Sequence, residues 1–152
     1  MKARAAIGIL SGWLWVLRAH EPGELDRFIM NLRSGVDLIE LERVEAVIQR
    51  YGSRFLKRVF TPRELAEVGD NTASLAARFA AKEAVAKALG TGIGDVGWQE
   101  IEILRGPARQ PNLHLYGRAA SLADQLDLDV WSISLTHSQS HAIALAVAIG
   151  DR

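Results

Sequence analysis

The sequence predicts a single α+β domain in which a mainly antiparallel sheet packs against one long helix. The run from Ala73 to Leu89 is rich in alanine and leucine and is followed by Gly90, a pattern typical of a helix and its left-handed cap. Beyond this run apolar and polar residues alternate, which indicates β-strands. The 152 residues fit one domain with its own hydrophobic core.

The first predicted element is a strand from Leu32 to Leu38, with the polar Asp37 near its end. A helix follows directly and ends at Gly52. Its apolar residues recur at helical spacing and form one stripe: Leu41, Val44, Val47 and Ile48. The strand therefore leads straight into the helix, and Asp37 lies close to their junction.

The segment from Phe55 to Phe60 mixes basic and apolar residues and is interpreted as a connector. A second helix start follows it. Thr61 is the predicted N-cap, Pro62 occupies the first turn, and Glu64 completes a capping box. These three residues support the same prediction. The side chains of Thr61 and Glu64 can accept hydrogen bonds from free backbone N–H groups at a helix start, and Pro62 has no N–H to satisfy.

The second half of the chain supplies the remaining strands. Ile101–Ile103 and Leu113–Leu115 are predicted strands, and prolines mark the turn between them. A short helix is predicted from Gly117 to Leu126. The last two strands, Trp131–His137 and His141–Ile149, form a hairpin. These hairpins make the predicted sheet mainly antiparallel.

Composition excludes several classes of protein. Eighteen Lys and Arg residues balance eighteen Asp and Glu residues, so no net field draws the chain to nucleic acid or to an anionic membrane. A nucleic-acid binder is also disfavoured because no aromatic and basic stacking surface is visible. The chain has no cysteine, so metal ligands would have to be carboxylates or histidines. Any anionic partner must be bound by a local basic patch.

Residues 1–29 superficially copy a signal peptide, because basic residues precede an apolar stretch from Ala5 to Leu17. The stretch is too short to span a bilayer, and no small-x-small cleavage pattern follows it. A second methionine, Met30, precedes the first well-patterned segment. We interpret residues 1–29 as a dispensable extension or a start assigned too early, and residues 30–152 as the functional domain. The alternative is a short extra helix packed on the domain.

The long helix carries four charged residues at helical spacings on an otherwise alanine-rich surface: Arg78, Lys82, Glu83 and Lys87. Spacing alone favours a solvated pair of Glu83 with Lys87 and an exposed basic face. The glycines that follow, Gly90 and Gly92 among them, would let a backbone approach a phosphate beside these cations. Helix caps often contain glycine, so both interpretations stay open. Asp37 has a similar alternative, as the N-cap of the helix that follows it.

Five blocks resolve these alternatives, because together they resemble the holo-[acyl-carrier-protein] synthase family. They occur in that family's order and spacing, and the resemblance extends from Met30 to about Ile149. The blocks are Gly35–Leu38, Phe60–Glu64, Arg78–Ala84, Lys87–Gly92 and Ser134–Ser138. The resemblance implies the 4′-phosphopantetheinyl transferase fold and transfer of the phosphopantetheine arm of coenzyme A to a serine of an acyl carrier protein.

The resemblance implies that Asp37 and Glu83 bind Mg²⁺, which bridges them to the pyrophosphate of coenzyme A. Such an ion accepts a few hard oxygen ligands together with waters and substrate phosphates. Lys87 would reach the same phosphate, where it either helps to deprotonate the serine or neutralises the leaving group. Those two roles stay open.

The resemblance further implies contacts to coenzyme A, including its 3′-phosphate, from Arg78, Lys82 and His137. Thr136 and Ser138 offer hydroxyl groups beside His137. A structural histidine at a hairpin end is the alternative for His137. One departure is Arg109–Pro111, where the family usually has Gly-x-Pro, and it touches no proposed ligand.

Basic residues of the first helix and the connector form a predicted dock for the acidic carrier protein: Arg43, Arg50, Arg54, Lys57 and Arg58. Arg43 and Arg50 lie on one helical face and resemble the family's docking arginines. A plain solvated face is the alternative. Short members of the family assemble as homotrimers with an active site at each subunit interface, so we expect a cytoplasmic homotrimer serving fatty-acid or related synthesis. The runner-up is a non-catalytic module that binds coenzyme A or a carrier protein.

Overall fold

The structure is a computed structural model and describes residues 30–151. The hypotheses about residues 1–29 lie outside the described residues. The strands are β1 (Met30–Glu40), β2 (Ile101–Arg105), β3 (Pro111–Leu115), β4 (Val130–His137) and β5 (His141–Asp151). The helices are α1 (Leu41–Tyr51), α2 (Ser53–Val59), α3 (Pro62–Val68), α4 (Thr72–Ala88) and α5 (Gly117–Gln125). Among these helices, none is both long and apolar enough to cross a membrane.

The α+β class is confirmed, although the strands divide into two antiparallel sheets rather than one. β5 lies between β1 and β4 in a three-stranded sheet, and β2 pairs with β3 in a separate hairpin. In the register of the larger sheet Asp37 lies opposite Ala144 of β5. α4 contacts both sheets, and β3 of the hairpin also lies against β4.

The larger sheet has one covered face and one exposed face. Side chains alternate along a strand, and the alternate positions of β5 that face α4 are all alanine: Ala142, Ala144, Ala146 and Ala148. These alanines are at most 1% exposed, as are most of the alanines of α4. Small side chains on both surfaces let the helix lie close to the sheet, where its charged residues meet those of β1.

The predicted connector at residues 55–60 is wrong, because most of it belongs to the helix α2. Phe55, Leu56 and Val59 pack into a cluster with Phe60 and Leu75, while the basic residues between them stay exposed. A helix this short gains its stability from packing rather than from intrinsic propensity. Its apolar spacing was therefore too brief to identify from the sequence alone.

The predicted helix start at residue 61 is confirmed. The Thr61 hydroxyl accepts a hydrogen bond from the Glu64 amide at 3.2 Å, and the Glu64 carboxylate accepts one from the Thr61 amide at 2.8 Å. Pro62 follows the cap. Glu64 is fully buried, so the same carboxylate is also available to partners in the interior.

Candidate active site

β1 carries Asp37 on the side of the sheet that faces α4. Its neighbours Val36 and Leu38 point to the opposite, exposed face. The ammonium of Lys87 donates to the Asp37 carboxylate at 2.8 Å and to the Val36 carbonyl at 2.9 Å. The N-cap alternative for Asp37 is wrong, because Glu40 occupies that position and caps with no side-chain hydrogen bond.

Glu83 lies one turn before Lys87 on α4, close enough to Asp37 for their charges to interact. Burial raises the pKa of Glu83, the negative charge of Asp37 raises it further, and the ammonium of Lys87 lowers it. The surface pair of Glu83 with Lys87 is not formed in the described structure, since Lys87 pairs with Asp37. Two carboxylates thus share one ammonium, which leaves an excess of negative charge.

This excess fits a divalent cation whose remaining ligands come from elsewhere. Within residues 30–151 no group of three or more His, Cys, Asp and Glu side chains could hold a metal ion. Asp37 and Glu83 therefore cannot form a closed site by themselves. Mg²⁺ needs no closed site, because it is commonly held by one or two carboxylates together with substrate phosphates and water.

A groove of about 560 Å³ opens beside Glu83, and its wall is formed largely by the loop that follows α4. Gly90 ends the helix with a positive φ of 77°, and Gly94 has a φ of 119°, both suited to glycine. A side chain at Gly92 would meet nothing within 4 Å, so the space over this backbone is open. The loop thus leaves room for a large ligand next to Glu83.

Arg78, Thr136 and His137 line a different pocket, of about 290 Å³. The Arg78 side chain donates to the Ile103 carbonyl and to the Glu67 carboxylate, each at 3.0 Å. Arg105 and Arg109 contribute further positive charge to the same pocket, which Pro111 also lines. The expectation that the departure at Arg109–Pro111 lies away from any ligand contact is therefore wrong. This pocket suits an anion.

Two other predicted contacts behave differently from these. Ser138 does not line the pocket of His137, and its hydroxyl accepts a hydrogen bond from the His141 amide at 3.1 Å in the hairpin turn. The structure contradicts the predicted phosphate contact of Lys82, which is fully buried. Its ammonium pairs with Glu64 at 2.9 Å and donates to the carbonyls of Trp98 and Ile101. No donor remains for a surface ligand.

The predicted residues therefore form two groups rather than one site. Asp37, Glu83 and Lys87 meet where β1 packs on α4, whereas His137 lies on β4 at the opposite edge of the three-stranded sheet. Of the first group Glu83 lines the groove beside the glycine loop, whereas Arg78, Thr136 and His137 line the other pocket.

The predicted carrier dock is exposed and basic. Arg43 and Arg50 lie on α1 and Arg54 on α2, and none of them forms an ion pair within the described part of the chain. Arg50 stacks over the Tyr51 ring at 5.2 Å. Arginines that form no ion pair within the described residues are able to bind an acidic partner. A solvated basic face with no docking role would have the same arrangement.

An apolar groove of about 520 Å³ adjoins these arginines, and it was not predicted from the sequence. Its lining comes from α1, α2, α4 and the turn at Trp98, and consists of Val47, Tyr51, Arg54, Phe55, Arg58, Val59, Phe79 and Trp98. Arg58 and Trp98 also line the groove of Glu83, so the two grooves are neighbours. The sequence feature that could have indicated this groove is Phe79, which lies one helical turn before Glu83.

Comparison with known proteins places this arrangement in a family. Residues 33–146 match the model of the 4′-phosphopantetheinyl transferase superfamily. The holo-[acyl-carrier-protein] synthase of Herpetosiphon aurantiacus is 44% identical over 126 residues, which are 78% of this chain and 99% of the relative. The protein of that name from Dehalococcoides mccartyi is 48% identical over 117 residues, covering 77% of this chain and 98% of the relative.

A solved structure agrees with these sequence matches. The Helicobacter pylori holo-[acyl-carrier-protein] synthase, crystallised in complex with coenzyme A, superposes with a TM-score of 0.70 at 31% identity. The match covers 76% of this chain and 98% of that protein. The chain therefore belongs to the holo-[acyl-carrier-protein] synthase family of the 4′-phosphopantetheinyl transferase superfamily.

Proposed function

We propose that this chain transfers the 4′-phosphopantetheine arm from coenzyme A to a serine of an apo acyl carrier protein and releases adenosine 3′,5′-bisphosphate. The observation that carries the proposal is the meeting of Asp37, Glu83 and Lys87 beside an open glycine-bordered groove. Relatives bearing the synthase name and the Helicobacter structure with coenzyme A support it.

Asp37 and Glu83 are the residues that would hold Mg²⁺. When bound, the ion would stabilise the negative charge that develops on the phosphates during transfer. The raised pKa of Glu83 supports this assignment, because a cation would relieve the repulsion from Asp37 that contributes to the shift.

Lys87 supplies positive charge beside the two carboxylates. Its side chain is 48% exposed, so the ammonium is accessible from solvent while it contacts Asp37. In phosphoryl transfer, a cation beside the reacting phosphate stabilises the charge that builds up in the transition state. The second role is that of a general base, in which Lys87 would first lose its own proton and the neutral amine would then accept the proton of the serine hydroxyl.

The direct test is a transfer assay. The chain is incubated with apo carrier protein, coenzyme A and Mg²⁺, and the carrier is weighed by mass spectrometry. We expect a mass gain of one phosphopantetheine arm, and its absence would contradict the proposal. Asp37→Ala and Glu83→Ala should abolish the gain while the protein stays folded. A non-catalytic binding module would instead retain coenzyme A without modifying the carrier.

The proposal includes a homotrimer whose active sites lie between subunits. The outer face of the three-stranded sheet supports it, because this face exposes apolar side chains on all three strands: Leu32, Val36, Leu38, Val130, Ile143 and Leu145. Exposed apolar patches of this kind mark interfaces. One subunit would supply Asp37 and Glu83, and its neighbour Arg78 and His137.

A mixing experiment tests the shared site. Glu83→Ala and His137→Ala are each expected to be inactive, since each removes a different half of the site. Subunits of the two variants are then dissociated and reassembled together. Mixed trimers contain some sites with both halves intact, so partial activity should return. Activity that stays absent in mixed trimers of confirmed composition would contradict a site shared between subunits.

The proposed carrier dock combines Arg43, Arg50 and Arg54 with the neighbouring apolar groove. Charge reversal by Arg50→Glu should raise the KM for the carrier and leave the KM for coenzyme A unchanged, because Arg50 lies away from both phosphate pockets. Arg118→Glu, on α5, is a matched control in a helix outside the dock. If both variants raise the KM for the carrier equally, the result would favour a solvated basic face with no docking role.

We also propose that residues 30–152 form a sufficient transferase domain, working in the cytoplasm in fatty-acid or related synthesis. The alignments support the boundary, since they cover 98–99% of the two relatives but only 77–78% of this chain. A variant that begins at Met30 should retain transfer activity. Mass spectrometry of the native N-terminus tests whether residues 1–29 are present in the cell.

A further inference from the structure

β1 and α4 touch backbone to backbone at Gly35. This glycine is the only buried position of β1. A Cβ atom placed on it would lie 2.0 Å from the Ala84 carbonyl oxygen and 2.8 Å from the Ala88 amide nitrogen. Both atoms belong to the helix backbone, so no side chain could rotate away to make room. The strand and the helix are therefore too close to leave room for any side chain at this position.

This contact lies among the residues of the proposed site. Ala84 directly follows Glu83, and Ala88 directly follows Lys87. On the strand, Gly35 precedes Asp37 by two positions, so both residues are on the face that meets α4. The intervening carbonyl of Val36 accepts the second hydrogen bond of Lys87. Gly35 thus marks the point at which the distance between strand and helix is set.

We propose that Gly35 is a positioning residue for metal binding, because its missing side chain fixes the separation between Asp37 on β1 and Glu83 on α4. The inference rests on the proposed function, since it concerns the ion that these two carboxylates would hold. An octahedral Mg²⁺ ion has strict geometric demands and short bonds to oxygen. A fixed separation between its two protein ligands therefore decides how well they bind it.

A methyl group at this position would force the two elements apart. Real Cβ atoms essentially never lie within 3.0 Å of such atoms, so β1 would have to retreat by about 1 Å. A displacement of that size typically costs an enzyme about 10²-fold in rate. Changes that misorient metal ligands typically lower metal affinity by about 10–100-fold.

A second glycine provides a matched control. A Cβ atom at Gly150 would lie only 1.2 Å from the Asp127 carbonyl oxygen, so Gly150→Ala introduces at least as severe a clash with backbone. Gly150 pairs with Asn31, six residues along β1 from Asp37 and therefore about 20 Å away. Its substitution should lower stability without changing the separation of the two carboxylates.

The test measures metal binding separately from activity. Gly35→Ala, Gly150→Ala and the parent chain are titrated with Mn²⁺ in the presence of coenzyme A, and free Mn²⁺ is followed by electron paramagnetic resonance. Unfolding curves give the folded fraction, and an osmolyte such as trimethylamine N-oxide is added where a variant is unstable. We expect Gly35→Ala to bind Mn²⁺ about 10–100-fold more weakly per folded molecule, and Gly150→Ala to bind it like the parent.

A compensating substitution makes the test more specific. Asp37→Glu adds one methylene group, which should span the added separation. In the Gly35→Ala background it is expected to recover about tenfold in Mn²⁺ affinity, whereas in the parent it should weaken binding. A purely structural role for Gly35 predicts no such recovery.

The outcomes distinguish this inference from the proposed function. If the parent chain shows no Mn²⁺ binding with coenzyme A, the proposed function fails. If the parent binds Mn²⁺ and folded Gly35→Ala binds it equally well, or Gly150→Ala is weakened to the same extent, the positioning role fails. The positioning role also fails if Gly35→Ala stays unfolded in the osmolyte while Gly150→Ala folds.

Discussion

Two charged clusters, each built around charged residues of α4, differ in how completely their charges are matched. The inner cluster consists of Arg63, Glu64, Lys82 and Glu102, and the outer cluster of Asp37, Glu83 and Lys87. In the inner cluster Lys82 pairs with Glu64 at 2.9 Å, and Glu102 pairs with Arg63 at 3.1 Å. In the outer cluster two carboxylates share one ammonium. The inner cluster is balanced, and the outer one is not.

The pKa values of two glutamates report the same difference. Burial alone would raise the pKa of Glu102, but hydrogen bonds from Thr61 and Tyr116 and the charge of Arg63 lower it overall. Glu83 has no comparable set of donors, and burial together with Asp37 raises its pKa. A balanced buried cluster holds elements in place, whereas an unbalanced accessible one is prepared for a cation.

The largest effect is expected from removing the lysine of the inner cluster. Lys82→Ala leaves the Glu64 carboxylate buried without its ion-pair partner, which should lower the free energy of unfolding by about 3–5 kcal/mol. Chemical denaturation measures this loss. Molecules that remain folded should bind coenzyme A with the affinity of the parent chain. If the variant keeps the stability of the parent chain but binds coenzyme A more weakly, the result would instead indicate that Lys82 contacts this ligand.

Lys87→Ala should give the opposite pattern. Transfer activity is expected to fall by about 10²–10³-fold, because one charge at the reacting phosphate is lost. The free energy of unfolding should change by about 1 kcal/mol, because the Lys87 side chain is half exposed although that of Asp37 is only 18% exposed. Lys87→Arg separates the two proposed roles in the transfer assay. Arginine keeps the charge but cannot take up a proton, so it retains activity only if Lys87 acts by charge alone.

Glu102→Gln tests the balance of the inner cluster. It should cost about 1.5–3 kcal/mol of unfolding free energy at neutral pH, since it replaces charged hydrogen bonds with neutral ones. The pKa of Glu102 is lower in the folded state than its ordinary 4.5, so its stabilisation is present above that pH. It is lost as the pH falls through the lowered pKa. The difference between parent and variant should therefore shrink on acidification, as acid unfolding curves will show.

The smallest expected effect is a gain in stability. The pKa of Glu83 is raised in the folded state, so its ionisation costs stability as the pH rises through that pKa. Glu83→Gln removes this cost and should stabilise the chain by about 0.5 kcal/mol at neutral pH in a chelator, a small value because solvent screens the charge. Thermal unfolding measures the gain, which should vanish at acidic pH. A loss of stability would contradict the excess of negative charge that we infer for the outer cluster.

The contrast between the clusters also explains what the sequence could predict. The capping box at Thr61 was predicted because its chemistry is local. Helical spacing placed Arg78 and Lys82 on one stripe, but it could not tell that this stripe meets the buried Glu64. That contact depends on how α3 packs on α4, which no local pattern encodes. α2 was missed for the same reason, because it is held by packing.

The residues of the outer cluster were predicted from the family resemblance rather than from their spacing in the sequence. Lys87 and Asp37 are fifty positions apart, so no periodicity links them. Spacing favoured a pair of Glu83 with Lys87, and the structure forms a pair with Asp37 instead. The division of the predicted ligands between two pockets was equally hidden, because it depends on which sheet edge each strand occupies.

The alternation of side chains along β1 has a consequence for how this chain can evolve. Asp37 and Gly35 share the face toward α4, and Val36 and Leu38 share the opposite one. A single-residue insertion or deletion between Gly35 and Asp37 would place these two residues on opposite faces of the strand. The segment that joins them can therefore not change in length, so members with an intact site should align through it without gaps.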